Sequence, residues 1–246
     1  MTVALTFDTD WAPDFVLEYV CSILADYDLE ATMFFTNKVG FDIPDFIETG
    51  IHPDFRTCGG VTPEAEKLIN ELLFDFPNTK GFRSHRMFWD YGLYDLLPKQ
   101  GVIYDSSIFL PFHANLEINR AYGDLLRIPV WWTDNLHLER QLSLNSAEFL
   151  DLSEPGLKVL IFHPIHVYLN SSHRDVYREK VQLLGDLRSL DISTLEPLRH
   201  QGVGIETLLK VICRKLKTTN VCSSKLEALA SVVCAAFRRK AGRDVA

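Results

Sequence analysis

The sequence predicts a single-domain α/β barrel, and three observations point to it. Short apolar runs alternate with longer helical patterns, the signature of βα units and a largely parallel sheet. A chain of 246 residues with 47% apolar content can bury one large core, and α/β barrels run as one domain at this size. Chemically capable side chains stand at the ends of nearly all the apolar runs, and parallel strands of a barrel open on a common face.

The first run is Val3 to Phe7, and a helical stretch follows from Pro13 to Asp28 with apolar residues at Phe15, Val16, Tyr19, Val20, Ile23 and Leu24. Pro13 suits the first turn of that helix. Ala31 to Phe35 is the second run and Thr49 to His52 a short third. Thr62-Pro63-Glu64 then opens a capped helix that should end near Phe76-Pro77. Lys80 to Arg83, Val102 to Asp105, Arg127 to Trp132 and Leu157 to His163 complete seven strands. The last is the most apolar, as a strand covered on both faces should be. Neither an internal repeat nor a linker interrupts the pattern, so residues 1–205 form the expected barrel.

Residues 206–246 differ in charge. They carry nine Lys and Arg against three Asp and Glu, a balance of +6 in a chain of net charge −8, which leaves −14 for residues 1–205. This segment reads as a basic helical tail packed on or extending from the barrel, with contact to a membrane surface as its alternative. An acidic body is a poor nucleic-acid binder, because phosphate neutralisation needs a basic face. The N-terminus shows no signal-peptide pattern and no run of about 18 apolar residues occurs. Five cysteines without paired spacing read as free thiols in a reducing compartment, so the expected location is the cytoplasm.

The residues at the strand ends are, in order, Asp8 and Asp10, His52, Arg83 and His85, Asp105, Asp134, then His163 and His166. If the chain stays extended, Asp8 and Asp10 point the same way into the mouth, and two carboxylates there invite a cation. Otherwise they read as a helix cap and a solvated loop residue. Pro53 holds His52 at the exit of its strand. His163 follows the most buried strand and is a natural proton donor near neutral pH. His166 either joins the site or shapes the loop. Ser107, in Asp105-Ser106-Ser107, is a candidate substrate contact or part of a serine-rich turn. His113, His137, His173 and His200 read as surface residues.

These residues resemble the polysaccharide deacetylases of NodB homology, a carbohydrate esterase family, and within it the WbmS-like subgroup linked to O-antigen pathways. Leu5-Thr6-Phe7-Asp8-Thr9-Asp10 is similar to the family's first motif, Glu48-Thr49-Gly50-Ile51-His52 to the second, Gly81-Phe82-Arg83 to the third, Pro129-Val130-Trp131-Trp132-Thr133-Asp134 to the fourth and Leu160-Ile161-Phe162-His163 to the fifth. The resemblance spans residues 2 to about 170 and implies a distorted (β/α)7 barrel. It implies Asp8 as general base, Arg83 paired with it, Asp10 and His52 as ligands of a divalent metal, usually zinc, and His163 as general acid. Asp134 becomes a supporting acid and Trp132 an aromatic wall for a carbohydrate substrate.

Two positions depart from the family pattern. The second motif usually has another histidine where this chain has Arg56, and the residue two after Arg83 is His85 instead of proline. His85 in place of the missing imidazole would give an Asp10, His52, His85 set with the three-ligand pattern of a catalytic zinc site. Asp54 or His166 as third ligand, or a metal-free site, are the other readings. The function implied is removal of an N-acyl group, acetyl first, from an amino sugar or saccharide precursor of surface polysaccharide. An amidohydrolase of a small cyclic amide and a silent saccharide-binding barrel are the alternatives.

Overall fold

The structure, a computed structural model, describes residues 1–121 and 123–241, so the last five residues of the basic tail, 242–246, lie outside the described residues. Nine strands form one curled sheet: β1 (Thr2–Asp8), β2 (Ala31–Phe35), β3 (Ile47–Ile51), β4 (Gly81–Phe82), β5 (Tyr104–Asp105), β6 (Asn119–Arg120), β7 (Leu126–Arg127), β8 (Trp132–Thr133) and β9 (Leu157–Phe162). Their order is β6-β7-β5-β4-β3-β2-β1-β9-β8, and every pairing is parallel except β6 with β7. The helices are α1 (Asp14–Asp26), α2 (Pro63–Asp75), α3 (Leu93–Lys99), α4 (Asp134–Glu139), α5 (Pro164–Tyr168), α6 (Asp175–Lys180), α7 (Ile192–Leu195), α8 (Ile205–Thr218) and α9 (Leu226–Ala241).

Seven apolar runs yield nine strands for a physical reason. The run from Arg127 to Trp132 is not one strand: its start, β7, pairs with β5 at one edge of the sheet, while its end, β8, pairs with β9 at the other. Between them Val130 donates its N–H to Ile108 and Trp131 donates to Val159, so this stretch touches both edges of the curled sheet. The antiparallel β6 is short and exposed, and carries no apolar pattern that could announce it.

Register sets the level of the site. Phe7 lies opposite Phe162, so Asp8 emerges level with His163. Ile51 lies opposite Phe82, so His52 emerges level with Arg83. The central strands β1, β2 and β3 are buried along almost all their length and β9 completely, and their side chains feed a large core and a smaller second one around Ile51 and Phe82. Gly81 belongs to that packing, because a Cβ there would sit 2.1 Å from the Tyr104 hydroxyl.

The basic tail is two helices instead of one. Ile205, Leu208, Leu209, Ile212, Cys213 and Leu216 of α8 are buried in the same core as β1. The link to α9 joins the sheet, where Ser223 bridges to Val3 and its Oγ accepts the N–H of Leu5 at 2.9 Å. The first amides of α9 then reach the floor of the barrel: Leu226 N–H donates to Thr32 Oγ1 at 3.0 Å and Glu227 N–H to Glu48 Oε2 at 2.9 Å. Lys210, Arg214, Lys215 and Lys217 of α8 are interleaved with this apolar face, so the charge there decorates a packed element. No helix among the described residues is long and apolar enough to cross a membrane, and the five cysteines are free thiols.

Candidate active site

β1 ends at Asp8, and the chain then turns sharply instead of continuing extended as the sequence suggests. Asp10 and Trp11 both adopt left-handed backbone angles, with φ of 43° and 60°, and Trp11 N–H donates to Thr36 Oγ1 at 2.9 Å. Non-glycine residues in that region carry strain of about 1–3 kcal/mol. The turn nevertheless leaves both carboxylates beside one imidazole: His52 Nε2 lies 3.2 Å from Asp10 Oδ1 and 3.8 Å from Asp8 Oδ2.

Asp8 is held from one side. Nη1 of the fully buried Arg83 guanidinium donates to Asp8 Oδ1 at 2.7 Å and to Thr6 Oγ1 at 2.9 Å, while Nε and Nη2 donate to Ser106 O and Ser106 Oγ at 3.1 and 2.9 Å. One carboxylate oxygen is thereby fixed, and Oδ2 remains turned toward the mouth.

Asp10, His52 and His85 form a compact donor set, with one ligand atom from each lying within 4.8 Å of the others. Asp10 Oδ1 is 3.2 Å from His52 Nε2 and 3.1 Å from His85 Nδ1. Bonds of 2.0–2.1 Å in a tetrahedral zinc site place donor atoms about 3.3 Å apart, so these spacings fit a divalent cation. His52 is also oriented from behind, since its Nδ1 donates to the Arg83 carbonyl at 2.7 Å and turns Nε2 toward the set. Burial alone would raise the Asp10 pKa, but hydrogen bonds from His52 and His85 outweigh it and hold the carboxyl well below its usual range. Burial opposes the charged form of His52, and the Asp8 and Asp10 carboxylates more than offset it, so its pKa rises.

His85 reaches this position because its backbone N–H donates to Pro53 O, one residue past His52. The other two third-ligand readings are not favoured by the geometry. Asp54 is turned to Arg56, whose Nε donates to it at 2.8 and 2.9 Å, and His166 is bonded through Nδ1 to Ser171 Oγ at 3.0 Å.

On the opposite side His163 caps β9. Its Nδ1 donates to Asp134 Oδ1 at 2.7 Å, its backbone N–H donates to Asp134 Oδ2 at 2.6 Å, and its Nε2 points to Asp10 Oδ2 at 3.7 Å. Burial works against the imidazolium, yet the fully buried Asp134 carboxylate overrides it and lifts the pKa to about 10. His166, packed beside it without a carboxylate bond, is driven by burial to about 4 and is neutral.

A cavity of about 780 Å³ opens over these groups, lined by Asp8, Asp10, His52, His85, His163 and His166 among others. A larger groove of about 900 Å³ between the start of α1 and residues 188–193 contains none of them.

Three expectations are corrected. Trp132 is fully buried, packed on Phe149 and Phe162 with its indole N–H donated to His137, so it is a core ring and not a wall of the mouth. Ser107 is a brace: its Oγ accepts Ser84 N–H at 2.8 Å and its N–H donates to Asp105, with only 4% of the residue exposed. His137, read as a surface residue, is buried as the partner of Trp132. Conversely, Trp11, Arg86, Asn135, Arg174 and Tyr177 line the mouth without having been singled out, and Arg56, noted only as a missing imidazole, lines it too. They lie in loops and two short helices beyond the strand ends, where periodicity says nothing about direction.

Residues 5–181, most of the chain, match the family described as WbmS-like polysaccharide deacetylase. The chain belongs to this family. Its members are hydrolases that act on a C–N bond, and this deacetylase shares the barrel with solved relatives. It is 26% identical to a Bordetella bronchiseptica protein described as a polysaccharide deacetylase involved in O-antigen biosynthesis (WbmS), covering 87% of this chain and 90% of that one with a TM-score of 0.77. A Mycobacterium smegmatis structure described as a polysaccharide deacetylase is 16% identical with a TM-score of 0.59, over 96% of this chain and 91% of that one, a likeness of fold. No curated protein matches the sequence.

Proposed function

We propose that this deacetylase removes an N-acyl group, acetyl first, from an amino sugar or saccharide precursor of surface polysaccharide, with a divalent metal, zinc first, held by Asp10, His52 and His85. The observation that carries the reading is the three-donor set between one carboxylate with a free oxygen and one imidazolium. A zinc-like ion there would supply Lewis acidity toward the amide oxygen and make a water acidic near neutral pH.

The chain's own residues divide the proton work. Asp8, fixed by Arg83 on Oδ1, presents Oδ2 to receive the proton of the attacking water. His163, held charged by Asp134, presents Nε2 to give a proton to the departing nitrogen. Arg83 and Asp134 are positioning residues, because each acts through the group it holds. His85 in the donor set removes the main reason to read the barrel as silent, the arginine at position 56.

The test is acetate release from N-acetylated sugars by the purified protein. The reading expects release that a chelator stops and added zinc restores. Release that persists unchanged in chelator, with no metal bound, would remove the metal from the proposal.

A further inference from the structure

The lining of the mouth has a charge pattern that the deacetylation reading does not use. Four arginines, Arg56, Arg86, Arg174 and Arg178, line the cavity, and no lysine does. Asp8 and Asp10 are the lining carboxylates among the described residues, and each has its Oδ1 engaged, by Arg83 and by the two imidazoles. The chain as a whole carries a net charge of −8. A cationic rim on an acidic protein is therefore a local arrangement and not a reflection of composition.

Arg86 is the informative member. It is exposed, has no ion-pair or hydrogen-bond partner among the described residues, and sits at φ 57° and ψ 26°, followed by Met87 at φ 56°. Two consecutive non-glycine residues in the left-handed region are strained, and such strain persists at sites where it aims a side chain. Across the mouth, Arg174 and Arg178 stand four residues apart at α6, spacing that puts them on one helix face. Their partners, Glu139 at 3.3 Å and Asp175 at 3.8 Å, are well exposed, so these pairs are weak and easily exchanged. Arginine forks match phosphate and carboxylate oxygens two at a time, which lysine does not.

We infer that the substrate carries an anionic group, a phosphate or a sugar carboxylate, which Arg86, Arg174 and Arg178 hold while the acylamino group lies over Asp8 and Asp10. This rests on the deacetylase reading of the same site and narrows its substrate class. The rim would also concentrate such a substrate at the mouth, with an attraction that salt weakens.

Trp11 lines the same cavity, with the Arg56 guanidinium 5.7 Å from its ring centre, so its fluorescence gives a binding signal independent of turnover. Inorganic diphosphate and glucuronate, titrated separately, distinguish the two sources. At least one of them should bind, at least tenfold more weakly in the Arg86→Gln, Arg178→Gln double variant and more weakly in 0.5 M salt than at ~0.15 M. The variant is compared at the wild type's metal load, so the difference reads the guanidinium groups. Failure of both anions to bind the wild type, or equal binding by the variant, overturns the inference. Acetate release from neutral N-acetylglucosamine and from its diphosphate-linked nucleotide, measured on the same preparations, decides the deacetylase reading separately. Anion binding without any release would sink that reading, and with it the placement of the acylamino group, while the anion-holding role of the arginines would stand.

Discussion

At the floor of the barrel Glu48 is buried with both oxygens supplied: Tyr104 donates to Oε1 at 2.5 Å, and Thr32 Oγ1 and the Glu227 amide donate to Oε2 at 2.7 and 2.9 Å. At the mouth the carboxylates are left partly open. Among the described residues Asp8 Oδ2 has no donor nearer than His52 at 3.8 Å, and Asp10 shares Oδ1 between two imidazoles. Burial is comparable for Glu48 and Asp8, at 7% and 4% exposed, so depth does not distinguish a structural carboxylate from the one proposed to react. Unused acceptor capacity does. The floor also rests on unstrained strands and a helix N-terminus, while the mouth is edged by left-handed residues at Asp10, Trp11, Arg86 and Met87.

The comparison breaks most visibly at Asp8. Asp8→Asn should lower acetate release about 10²- to 10⁴-fold with metal retained. Because it also strips the buried Arg83 of its counter-charge, it should cost about 3–5 kcal/mol of stability, so the rate is to be normalised to the folded fraction by circular dichroism. A rate within twofold of wild type would remove Asp8 from the reaction. At the floor the effects separate: Tyr104→Phe leaves Glu48 Oε1 without its donor and should cost about 1–3 kcal/mol in a denaturant titration, with metal content and acetate release per folded molecule unchanged. A loss of bound metal in that variant would mean that the two ends are coupled.

The pH dependence of stability sharpens the contrast. His163 is raised from 6.5 to about 10 in the folded protein, so its contribution is fully present below pH 6.5 and is lost as pH rises toward 10. Asp134 is lowered from 3.8, so its contribution is present above that pH and lost below it. In metal-free protein, unfolding midpoints should fall between pH 6.5 and 10, and His163→Gln should flatten that fall. An identical slope in the variant would detach His163 from Asp134. The smallest effect is expected at Ser107→Ala, about 1 kcal/mol from the lost bond to Ser84 N–H with KM unchanged, since Ser107 behaves like a floor residue although it stands near the mouth.

Much of this was legible in the sequence because strand ends are easy to find. Asp8, His52, Arg83 and His163 follow apolar runs directly, and parallel register brings them level without any further information. The exchange of Arg56 and His85 was readable too, as a lost imidazole and an extra one nearby. Trp132 failed because its expected role rests on the resemblance to the fourth motif, and a motif match does not tell which face of a strand at the sheet's edge meets the core. The run holding it splits between two edges, a tertiary fact with no local signature. The arginine rim was invisible for the opposite reason: Arg86 is aimed by a strained backbone, and Arg174 and Arg178 by a short helix beyond the last strand.

The central claim is that His85 supplies the imidazole missing from the second motif. Zinc affinity of wild type and His85→Ala, measured by isothermal titration at pH 7.5, tests it most directly. The account predicts one tight site per wild-type chain and a loss of at least tenfold in affinity in His85→Ala, deepening as acid protonates the remaining imidazole. Equal affinity in the two proteins would contradict it and take His85 out of the coordination shell.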